Sequence, residues 1–118
     1  MPPYKSSPYS NVPQATADPR QVEGWALAEM ARRMNAAQAE PVDVPLLLQT
    51  VRTNWRLWSI IQANLVDPEC PVPVEIRSSV LSLSAFIDRH TVGIIADPKP
   101  EKLDVLIQIN REIAAGLM

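Results

Sequence analysis

Long apolar periods separated by proline-marked breaks organise the chain from Asp18 onward. In the first period Val22, Ala26, Met30, Met34 and Ala37 recur at spacings of four and three, which places them on one face of a helix. Asp18 stands as its N-cap. Pro19 fills the first helical position, where a missing N–H costs nothing, and Gln21 reaches back to the cap. The pattern stops near Ala39, ahead of Pro41. A second helix opens at Asp43 with Pro45 in its first turn, and Leu47, Val51, Trp55, Trp58, Ile61 and Leu65 form a stripe along it. Leu46, Leu57 and Ile60 lie on another face, so this helix is expected to touch several neighbours.

The segment 66–72, carrying Pro68 and Pro71, reads as a connector, and Pro73 suits the first turn of a third helix. That helix lines up Ile76, Val80, Leu83, Ile87, His90 and Ile94, with Leu81, Val92 and Ile95 widening its apolar surface. A second break, Asp97-Pro98-Lys99-Pro100, precedes a fourth helix on which Leu103, Leu106, Ile107, Asn110, Ala114 and Leu117 share a face, with Gly116 as its expected C-cap. No alternating strand pattern or Asn-Gly hairpin signal occurs. The expected fold is all-α, a small bundle of four helices formed by a single domain over residues 18–118. Residues 1–17, with Pro2, Pro3, Pro8 and Pro13 among Ser, Asn and Gln, are expected to form a flexible tail.

Length and charge narrow the function. A chain of 118 residues supports one core and not two domains. With 11 Lys and Arg against 13 Asp and Glu, the formal charge of −2 supplies no basic footprint for a phosphate backbone, so direct nucleic-acid binding is not expected. The first residues lack the charged start and apolar core of a signal peptide, and no apolar run approaches the roughly 20 residues of a membrane helix. Cys70 is the only cysteine, so no internal disulfide can form, and a reducing, cytoplasmic setting without membrane insertion is expected.

Catalytic chemistry has little to stand on. Cys70 lies in a connector and His90 on an apolar stripe, and nothing in their spacing marks a nucleophile and its base. The three glycines, at 24, 93 and 116, form no phosphate loop, and the acidic residues form no metal-binding cluster. No enzyme activity, cofactor or metal is expected. The unusual feature is polar side chains on apolar faces: Asn54 beside Trp55 and Trp58, and Asn110 before Arg111. Buried amides require partners, so these residues either bond across the bundle and fix helix register or face a binding partner. Asp88-Arg89-His90 flanks the third stripe and could rim a groove.

Asn54-Trp55-Arg56-Leu57-Trp58 resembles the Asn-x-x-Leu-Trp motif of the FlaF family of flagellar biosynthesis regulators. Asp18-Pro19-Arg20 with Glu23 is similar to the start of that family's first helix. Leu83, Phe86, Ile87, Asp88, Arg89, His90 and Thr91 resemble its third-helix signature, and Ile109-Asn110-Arg111, Ile113-Ala114 and Gly116-Leu117 resemble its ending. The ordered resemblance spans residues 18–118. Two positions depart from it: Trp55 stands where the family usually has a polar or basic residue, and the connector from Cys70 to Pro73 is altered.

The resemblance implies a small cytoplasmic, non-enzymatic factor in flagellum assembly, with flagellin as binding partner and the regulator FlbT in the same pathway. It would bind flagellin and promote its synthesis and export in the manner of a chaperone; the alternative is post-transcriptional control of flagellin expression through FlbT or flagellin mRNA. Protein-binding candidates are Trp55 and Trp58 as anchors, Arg56, Arg89 and Arg111 as a rim, and Asn54, His90 and Asn110 beside them, because Trp and Arg dominate interface hot spots. Each tryptophan can equally belong to the core.

Overall fold

The computed structural model describes residues 19–117, so the expected tail and the expected cap Asp18 lie outside the described residues. Four α-helices follow in order: α1 (Pro19–Ala37), α2 (Val44–Val66), α3 (Val74–Ala96) and α4 (Asp104–Leu117), with one 3-10 turn, Pro100–Leu103, leading into the last. Among the described residues there is no strand, and no helix is long and apolar enough to cross a membrane. The all-α expectation and the count of four helices therefore hold.

Local chemistry sets the boundaries. Asp43 is extended, and its carboxylate accepts the Leu46 N–H at 3.1 Å, satisfying a donor that the first turn of α2 cannot. After α2, the Asp67 carboxylate accepts the Glu69 N–H at 2.8 Å and its carbonyl accepts the Cys70 N–H at 2.9 Å, a turn that the flanking prolines keep from becoming helix. At the end of α3, Lys102 donates its ammonium to Asp97 O at 2.9 Å, and His90 Nε2 meets Lys102 O at 2.7 Å. These two contacts staple the 3-10 turn to the helix it follows. Gly116 does not end α4, which runs on to Leu117.

Successive helices run antiparallel. Gln38 near the end of α1 donates to Pro100 O and to Asp104 at the start of α4, while Asn64 near the end of α2 donates to Glu23 near the start of α1. α1 packs most extensively on α4 and next on α2, and α2 also carries α3, so the row reads α4–α1–α2–α3. The molecule is correspondingly flat, 42 × 36 × 21 Å.

Burial is uneven across that row. α1 contributes Leu27, Ala31 and Met34, α2 contributes Leu47, Val51, Trp58 and Ile61, and α4 with its 3-10 turn contributes Leu103, Leu106 and Ile107. α3 contributes only Ile87 and Ile94 as buried apolar side chains, beside Ser84 and Thr91. Its expected apolar stripe begins too early: Ile76 is 53% exposed, and Val80 and Leu83 are half-buried. The first turns of α3 extend past the neighbours that cover the rest of the stripe.

Candidate functional site

The motif at residues 54–58 spans little more than one turn of α2, yet it ties that helix to α3 and α4 directly and, through Asn110, to α1. Asn54 and Trp58 point into the core and are fully buried, as is Asn110 on α4. Asn110 Nδ2 donates to Asn54 Oδ1 at 2.7 Å and to the Leu27 carbonyl of α1 at 3.2 Å, while Asn110 Oδ1 accepts the Trp58 indole N–H at 2.9 Å. One amide thereby engages α1, α2 and α4. Its two donors and its acceptor are all used, which fixes its orientation. Asn54 Nδ2 is buried without a partner among the described residues.

Trp55 takes a different course. It is half-buried on the flank of α2, not in the core stripe, and donates its indole N–H to Asp88 Oδ1 on α3 at 2.8 Å. Gln62, on the same face of α2 and seven residues further on, donates to Asp88 Oδ2 at 3.2 Å and to Ser84 Oγ at 2.8 Å. The α2–α3 seam is thus tied by polar bonds at its flank, whereas the α1–α2–α4 centre combines apolar packing with the buried Asn110 bonds. Asp88 serves both donors with its two carboxylate oxygens, a charge-assisted arrangement stronger than neutral pairs.

The remaining expected site residues are dispersed. His90 bonds to Lys102 O and stacks on Phe86 with ring centroids 5.3 Å apart. Arg89 and His90 line a shallow groove with Phe86 and Gly93, Arg111 lines another between α1 and α4 with Asn35 and Gln38, and Arg56 is exposed on the outer side of α2. The two grooves share no lining residue, so these arginines do not form one rim. Cys70 sits in the connector before α3, whereas His90 lies 16 residues into that helix from Val74, about 24 Å along its axis. Among the described residues no group of three His, Cys, Asp or Glu side chains could hold a metal ion.

The surface does offer apolar ground. Trp55, Ser59, Gln62 and Val66, spaced by four, three and four, share one side of α2. Ser59, Gln62, Ala63 and Val66 line a groove with Leu81 and Ser84 of α3. Val66 is 64% exposed there, and Val74 and Val92, on the same side of α3 as Leu81, are exposed as well. Gln62 and Ser84 were absent from the expected site, and Asp88 was expected only as a groove rim; the seven-residue step from Trp55 to Gln62 was the available signal for the first.

A family model described as flagellar protein FlaF matches residues 5–117. No curated protein and no solved structure matches the chain.

Proposed function

The chain belongs to the FlaF family of flagellar proteins, and on that premise we propose that it binds flagellin and promotes flagellin synthesis and export as a cytoplasmic chaperone-like regulator. The supporting observation is the groove between α2 and α3, where the fold leaves Val66 exposed beside Ala63 and Leu81. A groove lined by Ala63, Val66 and Leu81, with exposed Ser59 and half-buried Gln62 beside them and buried Ser84 below, suits an amphipathic helix laid in it. Flagellin's terminal helices are the ligand of that chemistry in this reading. Trp55 stands at one end of the α2 side with its N–H held by Asp88, so the ring is fixed before a partner arrives. Binding of this kind is reversible, as export requires, because the groove is shallow and its rim polar. FlbT acts in the same pathway in this reading, as a protein partner.

Calorimetric titration of the chain with flagellin, with flagellin lacking its terminal helices, and with an unstructured flagellin mRNA leader tests the reading. Micromolar or tighter binding that vanishes with the termini supports it. Silence toward flagellin with binding to RNA, or to FlbT alone, makes the chain a post-transcriptional regulator and overturns the chaperone role.

A further inference from the structure

Three buried side-chain atoms have no hydrogen-bond partner among the described residues, and two of them lie on helices that pack against each other: Asn54 Nδ2 on α2 and Thr91 Oγ1 on α3. Both residues are fully buried. The third atom, Arg77 Nε, belongs to the first turn of α3 and to neither residue's level.

Helix register sets the two atoms side by side. α2 and α3 run antiparallel, and the bonds from Gln62 to Ser84 and Asp88 and from Trp55 to Asp88 fix how one lies along the other. Along α2 the buried Ile61, Trp58, Asn54 and Val51 step by three, four and three residues. Along α3 the buried Ser84, Ile87, Thr91 and Ile94 take the same steps in the opposite direction. Counted from the Gln62–Ser84 bond, Trp58 meets Ile87, Asn54 meets Thr91 and Val51 meets Ile94. Of these layers, only Asn54–Thr91 is polar on both helices, and the bulkier Trp58–Ile87 and Val51–Ile94 layers close it on either side.

The Asn54 amide cannot turn over to relieve its donor. Asn110 Nδ2 holds Asn54 Oδ1 at 2.7 Å, and the Trp58 indole fixes Asn110 in turn. Nδ2 must therefore face away from Asn110, yet it makes no bond to the hydroxyl at its own level. Two unmet polar atoms in a dry layer are costly, and a single water that joins them removes both costs.

We propose that Asn54 and Thr91 hold one internal water molecule, which accepts the Asn54 Nδ2–H and donates to Thr91 Oγ1. The water carries the polar knot on to α3. The Leu27 carbonyl of α1, Asn110 of α4, Asn54 of α2 and Thr91 of α3 then form one continuous chain of bonds through all four helices. α3, which buries few apolar side chains, gains a central tie beside its flank bonds at Asp88. The site is independent of flagellin binding.

Thr91→Val and Thr91→Ser in the full chain test the site. Removing a hydroxyl that has no partner would stabilise the fold, whereas removing one that holds a bridging water strands the Asn54 donor. Thr91→Val should therefore raise the unfolding equilibrium constant about tenfold. Magnetic relaxation dispersion of the solvent should count one long-lived water fewer in Thr91→Val and the same number in Thr91→Ser, which keeps the hydroxyl. A crystal structure should show that water within hydrogen-bond reach of both atoms. An unchanged water count in Thr91→Val overturns the proposal, as does unchanged or raised stability of that variant. So does a crystal structure in which Asn54 Nδ2 bonds Thr91 Oγ1 directly.

Discussion

Trp58 donates its indole N–H to Asn110 Oδ1 across 2.9 Å, joining α2 to α4, two helices that share little backbone contact. The same Asn110 reaches Asn54 and the Leu27 carbonyl, so a polar knot sits at the centre of the apolar core. In water these bonds would gain little, but at a fully buried position an unmade bond is costly, and the knot therefore selects one register of three helices.

Replacing Asn110 with Leu strands the Trp58 N–H and removes three bonds, and should cost about 2–4 kcal/mol of unfolding free energy. Asn54→Leu should cost less, about 1–2 kcal/mol, because it strands one Asn110 N–H but also removes a donor that already lacks a protein partner. The double variant should fall short of the sum, since the two residues bond each other. Chemical denaturation of the three variants measures all of this, and equal single costs would show that the amides do not form the described knot.

Trp55→Phe keeps an aromatic ring, smaller than the indole, and deletes the bond to Asp88. The loss should be about 1 kcal/mol, and it should act locally. Hydrogen exchange should speed in α3, which buries the fewest apolar side chains, before it changes in α4. Uniform acceleration across all helices would show that α3 does not open separately.

Lys102→Met removes the ammonium that serves the Gly93 and Asp97 carbonyls at the end of α3. Stability should fall by about 0.5–1 kcal/mol, with exchange at residues 94–97 rising first. An unchanged exchange profile there would mean that the turn is held by His90 alone.

On the exposed face of α1, Arg32 and then Arg33 bond the Glu29 carboxylate and hold its pKa down to about 2. A folded-state pKa below the unfolded value stabilises the fold above the unfolded value, near 4.5, and that contribution is lost as pH falls toward 2. The pair is solvent-exposed, so the effect is small and screened by salt. Glu29→Gln should flatten the stability profile between those two pH values at low ionic strength, and parallel profiles for both proteins would rule out the linkage.

What the sequence made legible follows from how local each cause is. The α2 start at Asp43 and the breaks at Pro68, Pro71 and Pro98 depend on adjacent residues, and they stand where capping and proline geometry put them. Asn54 and Asn110 were readable as a pair because an amide on an apolar face must find a partner. Trp55 was misplaced in the core stripe. Its spacing from Val51 and Trp58 fits that stripe, but Asn54 occupies the inward position and turns Trp55 toward α3. Ile76 fits its stripe equally well, and only the reach of neighbouring helices leaves it exposed. The Leu27 carbonyl is invisible to any side-chain pattern, as is the separation of Arg89 and Arg111 onto different grooves.

The most direct measurement is flagellin affinity for two surface variants of equal stability. Val66→Asp places a charge in the α2–α3 groove and should weaken binding tenfold or more, about 1.4 kcal/mol. Arg111→Ala, on the groove between α1 and α4, should leave affinity within about twofold. Full binding by Val66→Asp, with loss in Arg111→Ala, would contradict the account and move the docking face to α4.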